Sequence, residues 1–485
     1  MSETRFFQCR VRMLLFPMLL AVAGCSMGPD FVRPKPVLPE QWQNAGAVEH
    51  ARPSSLPWWH MFNDPVLDQL MLRAETGNLD MALARERVKA ARIQRRAASA
   101  ESLPSLNGQA SYTHERLATS GVGEVLQPLL GLSPDAVRQE PEGVSYTNYS
   151  IGAVASWELD IWGRQRRLRE AAKAELSAVQ ADVDAMHLST QAEIARTYFQ
   201  WLWVSDRLKC AEKTLERATQ LLAIARAVHA RGLLAGVDLE KQQSVTQAAL
   251  GEKDELALQQ ASLHRALAVL AAGRPDADIP ELAKPADLLD VTMPKVAVDI
   301  PSDMARKRPD IRAAEARLHA ATATIGMAQA DFYPQVTLTG QISLDALTVA
   351  ELGWNARNTS FGPTLTLPIF NGGRLSSQLA LRHSEQRSAG IFYQSVVLNA
   401  WVEIENLLSH EQFLRSQYQR QISLLNAEKA RTAALQKRYQ HGDMSREELL
   451  TAALSESESE SEANLARTYV ALLTNAVDLK TALGI

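Results

Sequence analysis

The sequence has little cysteine, no surplus of positive charge and none of the common catalytic motifs. Its 485 residues contain 3 cysteines, Cys9, Cys25 and Cys210, too few for a disulfide framework or a thiolate metal site. The 51 Lys and Arg residues are outnumbered by 55 Asp and Glu residues, which argues against a nucleic-acid partner. A P-loop, an HExxH zinc motif and a GxSxG motif are also missing. The motifs therefore give no indication of an enzyme.

The N-terminus has the pattern of an export signal. Three arginines precede an apolar run at 13–23, which is too short to span a bilayer. The run ends in VAGC, with the cysteine at Cys25, and this resembles a bacterial lipobox. We therefore expect a signal peptide at 1–24 and a covalent lipid on Cys25. Ser26 follows the cysteine, at the position where an Asp would indicate retention in the inner membrane. We therefore expect the anchor to lie in the outer membrane. An ordinary signal peptide with a chance cysteine is the alternative.

Internal similarity indicates a tandem duplication. WELDIWGR at 157–164 resembles TLPIFNGGR at 366–374, and ARGLLAGVDLE at 230–240 resembles QHGDMSREELL at 440–450. Each copy reads as helix, strand, strand, long helix and helix. The predicted segments are a signal peptide at 1–24, a lipid-anchored extension at 25–65, a first repeat at 66–272, a Pro-rich linker at 273–301 and a second repeat at 302–485.

Four segments alternate apolar and polar residues as β-strands do. They form hairpins at about 104–161 and about 334–370, and each strand has the length of a transmembrane β-strand. Aromatic residues near the strand ends fit an interfacial girdle. Alternation alone also fits a soluble four-stranded sheet with one face on a core, so that alternative stays open at this point.

The helical segments are too long for an ordinary globular domain. The 68 residues between Gly163 and Gly232 include neither Gly nor Pro, and one uninterrupted helix there would be about 100 Å long. Four strands cannot close a membrane barrel, because an open edge would leave backbone groups unpaired in lipid. Strands that span a membrane therefore require an oligomer, and three copies would supply 3 × 4 = 12 strands.

These features resemble the TolC-like outer-membrane efflux channels, and among them the NodT-type lipoproteins. The resemblance covers nearly the whole chain after the signal segment. The motifs that carry it are GCSMGPDFVRP at 24–34, PWWHMFNDPVLDQL at 57–70, SWELDIWGR at 156–164, RPDIRAAEARL at 308–318, ADFYPQVTLTG at 330–340, LPIFNGGR at 367–374 and YVALLTNAVDLKTALG at 469–484.

The resemblance implies a mostly α-helical chain with a membrane β-barrel portion. Four strands per chain would close as a 12-stranded barrel of a homotrimer in the outer membrane of a Gram-negative bacterium, and long helices would form a periplasmic tunnel. Such channels are not enzymes and use no cofactor or metal. They are the passive exit duct of a tripartite pump, whose other parts are a periplasmic adaptor and an inner-membrane transporter, commonly of the resistance-nodulation-division class. The only expected covalent group is the lipid on Cys25.

The turns near 232 and 442 would then be the periplasmic tips of the tunnel. By the same resemblance, the gate residues are Asp238, Glu448 and Tyr439, and the residues that contact the adaptor are Gly232, Leu233, Gly442, Asp443 and Ser445. Met444 stands where some members have arginine, which puts that ion-pair latch in doubt.

Two other functions also fit the sequence. A duct for type I protein secretion would share the fold, and the lipid anchor favours small-molecule efflux over it. A periplasmic structural lipoprotein would use the long helices as coiled-coil spacers and the sheet as a soluble one.

Overall fold

The computed structural model describes residues 26–35, 39, 42, 57–117, 144–283, 287–294, 306–445, 448 and 457–484. These residues form two compact units. Unit 1 holds the described parts of Arg92–Glu175 and Leu318–Ala389 together with residues 26–32. Unit 2 holds the described parts of Arg33–Ala91, Leu176–Arg317 and Gly390–Ile485. Four helices contain a boundary between the two units along the chain.

Helices dominate the described residues. Their bounds are α1 Pro65–Gly77, α2 Leu79–Ala100, α3 Arg164–His229, α4 Gly236–Ala272, α5 Pro309–Ala330, α6 Arg374–Gln440 and α7 Ser457–Leu483. The prediction of uninterrupted long helices is confirmed, since α3 has 66 residues and α6 has 67. Gly390 lies inside α6 without ending it. Among the described residues, no helix combines the length and apolarity that a bilayer span requires.

The helical stretch before the first β-hairpin is divided in two. Its helices α1 and α2 are separated at Asn78. The backbone of Asn78 is extended, and its side-chain carbonyl accepts the Met81 amide at 3.0 Å, which caps α2. Its side-chain amide donates to the Leu270 carbonyl at 2.8 Å. The break therefore ties the start of α2 to α4.

The sheet of unit 1 has four antiparallel strands in the order β1-β2-β3-β4. They are β1 Ser105–Leu117, β2 Val144–Leu159, β3 Gln335–Ala346 and β4 Arg357–Thr366. The four predicted strands are therefore present, although β4 ends before the expected Phe370. Of the described residues, those of β1 pair only with β2 and those of β4 only with β3. The two outer strands are open edges.

The core of unit 2 surrounds the middle of α3. Tyr198, Phe199 and Leu202 are almost fully buried there against Phe62 and residues of α1, α4 and α7. Asp64 caps α1 by accepting the Val66 amide at 2.8 Å, and it also accepts the Tyr198 hydroxyl at 2.8 Å. Burial and the neighbouring Asp64 raise the pKa of Tyr198. The residues before α1 thus form part of the helical core.

Alanines seven residues apart on α3 face α4. Ala211 and Ala218 are buried, and Ala211 contacts Leu256 in a small apolar cluster. The Ala218 carbonyl accepts the hydroxyl of Thr246 at 3.4 Å. Small residues at this spacing let the two helices lie close together over several turns. This packing holds the α3–α4 pair together on the way to its turn at Gly232.

Candidate functional sites at the helix turns and on the sheet

The two predicted tips have the same backbone geometry. After α3, the Gly232 amide donates to the His229 carbonyl at 2.8 Å and the Leu233 amide to the Val228 carbonyl at 3.2 Å. After α6, the Gly442 amide donates to the Tyr439 carbonyl at 3.1 Å and the Asp443 amide to the Arg438 carbonyl at 3.0 Å. Both pairs of bonds form a Schellman motif, in which the glycine takes a left-handed conformation.

Positive φ explains why glycine stands at each turn. The φ angle is 73° at Gly232 and 82° at Gly442, a region where a residue with a side chain is strained. A Cβ atom at either position would meet no heavy atom within 4 Å. The constraint on these glycines is therefore conformational and leaves the surface around them open to a partner.

The predicted acidic gate residues occupy equivalent places at the helix starts. Asp238 is the third residue of α4, and Glu448 lies three residues after Ser445. The Ser445 amide donates to Glu448 Oε2 at 2.8 Å, while the Glu448 amide donates to Ser445 Oγ at 3.1 Å. This reciprocal pair is a capping box. Ala235 holds the corresponding first position before α4, and its side chain offers no cap.

The capping box perturbs the carboxylate that it uses. Hydrogen bonds from the backbone amide and then the side chain of Ser445 lower the pKa of Glu448, and the charge of Arg438 adds to the effect. Arg438 lies in the last turn of α6. It acts on Glu448 through its charge, and no ion pair joins the two among the described residues. Sequence reasoning missed the capping box, although the spacing of Ser445 and Glu448 is its signature.

The other predicted tip residues lie on the surface of the turns. Leu233 is 75% exposed, and so is Val237 on the first turn of α4. Tyr439 lies in the last turn of α6, where its side chain is 38% exposed. Asp443 and Ser445 are exposed as well. The first turn thus presents apolar side chains to its surroundings and the second turn presents polar ones.

The two faces of the sheet differ in polarity across all four strands. The register aligns Leu106, Ala155, Gly340 and Phe361 in one row and Asn107, Val154, Gln341 and Ser360 in the next. The rows alternate in this way along the sheet, so one side is an apolar face and the other a polar face. On the apolar face Leu106 is 74% and Phe361 84% exposed, whereas Ser343 on the polar face is 3% exposed. The apolar face is therefore exposed at both outer strands.

An unexpected site lies where β2 joins α3. Residues 26–31 pack there so closely that a Cβ on Gly326 would lie 2.4 Å from the Met27 carbonyl oxygen. The Met27 amide donates to the Trp162 carbonyl at 3.0 Å. Phe31 stacks on His319 of α5, with ring centroids 4.4 Å apart. We refer to residues 26–31 as the docked segment.

Arg167 holds the docked segment. Its guanidinium donates to the carbonyls of Met27 at 3.0 Å and Gly28 at 3.2 Å, and it pairs with Asp30 and Glu170 at 2.8 Å each. Burial lowers the pKa of Arg167, but the bonds and charges of the two carboxylates outweigh burial and leave this pKa raised. Cys25, the predicted lipidation site, lies outside the described residues and directly precedes this segment.

Among the described residues, no group of three or more His, Cys, Asp or Glu side chains is arranged to hold a metal ion. Long helices and a four-stranded sheet with an exposed apolar face are typical of outer-membrane tunnels. The family described as outer membrane efflux protein matches residues 70–273 and 300–485, and the chain belongs to this family. It is an outer-membrane channel component of an efflux pump.

Relatives and a solved structure agree with this assignment. The chain is 32% identical to nodulation protein T of Rhizobium leguminosarum over 399 residues, covering 80% of this chain and 79% of that protein. It is 28% identical to the cation efflux system protein CusC of Escherichia coli over 481 residues, covering 98% of each. The outer-membrane channel OprN has the same fold, with a TM-score of 0.80, 27% identity and coverage of 95% of this chain and 99% of that one. The predicted TolC-like fold is confirmed.

Proposed function

We propose that three copies of the chain close a 12-stranded barrel and act as the passive exit duct of a tripartite pump. The open edges of the sheet carry this proposal. Among the described strands, β1 and β4 each have a neighbour on one side only, and each unpaired backbone group costs several kcal/mol in lipid. Pairing β1 of one protomer with β4 of the next satisfies both edges. The polar face then lines the lumen, and the apolar face meets lipid.

The duct performs no chemistry and needs no cofactor. Transport energy enters at an inner-membrane transporter, for which we propose the resistance-nodulation-division class, and a periplasmic adaptor connects it to the duct. The adaptor contacts Gly232, Leu233, Gly442, Asp443 and Ser445 at the tips. The exposed Leu233 supports a partly apolar contact there. The lipid on Cys25 adds a second attachment to the membrane.

The gate lies at the tips. Three copies of Asp238 and Glu448 form carboxylate rings that favour cations at close range, and Tyr439 belongs to the same constriction. The lowered pKa of Glu448 supports this role, because it keeps that carboxylate charged. Opening separates the tips by movement of the helices that end there.

The cargo is a small molecule, a class that includes drugs, toxic organic compounds and metal ions. The name of the CusC relative refers to cations. Its 28% identity to this chain supports the role of a duct but does not specify the cargo. A wide tunnel has no selective pocket, so the transporter selects the cargo. The family match and the exposed apolar face favour this function over a periplasmic spacer lipoprotein.

Disulfide crosslinking across the proposed protomer boundary tests the closure. In a Cys210→Ser background, Asn107→Cys on β1 is combined in turn with cysteine at Asn358, Ser360 and Gly362 on β4, all on the polar face. We expect oxidation of native membranes to link three chains for at least one pair. The control places the first cysteine at Val154 on the interior strand β2, where no intermolecular link forms. Links confined to single chains would contradict the trimer.

A further inference from the structure

Among the described strand residues, acidic and basic side chains lie on opposite faces of the sheet. Of these described residues, the polar face carries Glu115, Glu158 and Asp345 and no Lys or Arg. The apolar face carries Arg116 and Arg357 and no Asp or Glu. Both arginines lie at the loop end of the sheet, away from the helices. Of the described residues in each hairpin, one arginine therefore lies on the apolar face.

The nearby strand carboxylates are engaged on the opposite face. Glu115 precedes Arg116 but accepts the hydroxyl of Tyr146 on the polar face. Asp345 accepts Ser343 Oγ and Asn358 Nδ2, each at 2.6 Å, also on the polar face. Among the described residues, no ion pair joins a carboxylate to Arg116 or Arg357. These carboxylates therefore do not neutralise the two arginines on the apolar face.

Arg357 is held in place by the loop that precedes β4. Its guanidinium donates to the Trp354 carbonyl at 3.0 Å and lies 5.7 Å from the centre of the Trp354 ring. Trp354 itself is 65% exposed, and the loop carries one carboxylate, the exposed Glu351. A large exposed aromatic ring beside a fixed cation is typical of a membrane interface.

Aromatic residues place the arginines relative to the bilayer. On the apolar face, Tyr112 and Tyr149 contact each other with centroids 5.2 Å apart, and Trp157 lies nearer the helices. Tyr149 and Trp157 are about 27 Å apart along β2, or roughly 21 Å of bilayer thickness at a tilt of about 40°. This is close to the ~25 Å apolar band of membrane barrels. Arg116 lies beyond Tyr112, about 10 Å further out by the same geometry, at the depth of lipid headgroups. Arg357 shares its register row with Leu344, Ile151 and Ala110, one row nearer the helices than Tyr112 and Tyr149, and its guanidinium extends to the Trp354 carbonyl in the loop.

We propose that Arg116 and Arg357 form a collar that binds the phosphate groups of lipids in the outer leaflet. The inference rests on the proposed trimeric barrel, in which 3 × 2 = 6 guanidiniums encircle the wall. A guanidinium binds phosphate through two parallel N–H donors, and it gains strength at an interface that contains little water. The collar selects lipid with phosphate monoesters, which carry net negative charge, over lipid whose phosphodiester is balanced by an ammonium group, and it fixes the depth of the barrel.

Lipid retention by the purified trimer tests the collar. The variants are Arg116→Gln with Arg357→Gln, the corresponding pair of Lys substitutions, and a control with Glu115→Gln and Asp345→Asn on the polar face. Native mass spectrometry measures the binding of diphosphorylated lipid A, its monophosphorylated form and phosphatidylethanolamine. We expect the Gln pair to weaken binding of the diphosphorylated lipid at least 5-fold, the Lys pair to weaken it less, and the control to match the wild type.

Three results would overturn the inference. The Gln pair could bind the diphosphorylated lipid as the wild type does, or the wild type could bind phosphatidylethanolamine equally well. Inorganic phosphate at the lipid's concentration could also displace the lipid, which would show a site for the free ion. A wild-type chain that forms no trimer would refute the proposed function itself, whereas a normal trimer without phosphate preference would refute the collar alone.

Discussion

Arg167→Met should release the docked segment from the joint between β2 and α3. The side chain of Arg167 is 4% exposed and donates to two backbone carbonyls of the segment. Methionine keeps most of the volume and removes every donor. The carbonyls of Met27 and Gly28 would then lose the bonds that they accept from Arg167, while the contacts of the segment with Gly326 would remain sterically allowed. The substitution therefore isolates the contribution of the guanidinium.

The magnitude follows from the kind of bond that is lost. A hydrogen bond from a charged donor contributes about 1.5–3 kcal/mol, so two such bonds contribute at most about 6 kcal/mol. Asp30 is 90% exposed, and its ion pair adds only about 0–1 kcal/mol. Released carbonyls bond to water, which favours the lower part of the range. A loss of about 3 kcal/mol corresponds to a roughly 100-fold shift in the docking equilibrium.

Hydrogen exchange of the Met27 amide measures this equilibrium. That amide is bonded to the Trp162 carbonyl at 3.0 Å and exchanges when the segment leaves the joint. We expect its protection in the purified channel to fall roughly 100-fold in Arg167→Met. Asp30→Asn is the matched control, and its effect should stay below about 5-fold. Unchanged protection in Arg167→Met, or an equal effect of the control, would refute the reasoning.

Three further outcomes are expected. Cys25→Ser should abolish metabolic palmitate labelling, and persistent labelling would exclude lipidation at that residue. Ser445→Ala removes the capping box and should destabilise the turn at Ser445 and Glu448 by about 0.5–2 kcal/mol, seen as faster hydrogen exchange of the Glu448 amide. Unchanged exchange would count against the cap. Asp238→Asn with Glu448→Gln should raise single-channel conductance and reduce cation selectivity in planar bilayers, and an unaltered channel would contradict the gate. Because the pKa of Glu448 is lowered, its part of that selectivity should be complete at pH values above the ordinary 4.5 and be lost as the pH falls through the lowered pKa.

Local patterns predicted much of the fold. The strands follow from alternation over short windows, and the long helices from the absence of Gly and Pro after Gly163 and the tolerance of Gly390 within α6. The break between α1 and α2 at Asn78 could not be predicted from such local patterns. Its side chain both caps α2 and donates to Leu270, and the second contact joins residues far apart in the sequence.

The docked segment could not be predicted for a related reason. Gly28 and Gly326 resemble ordinary glycines in the sequence, yet a Cβ on Gly28 would lie 2.4 Å from the Cα atom of Gly326. Arg167 stands in a run of charged residues that indicates an exposed helix face, and only the fold shows that it is buried. The gate and adaptor roles of the tip residues remain predictions, because they depend on contacts between chains.

The two turns share one backbone geometry but differ in side chains, which allows each to be adjusted separately. Ala235 and Ser445 occupy the same place, and only the serine forms a reciprocal cap with an acidic residue three positions later. Ala235→Ser with Asp238→Glu would copy that cap onto the first turn, and Ser445→Ala would remove it from the second. The two turns can therefore be compared directly within one chain. The cap of one turn can be changed while the other turn stays unchanged as a reference.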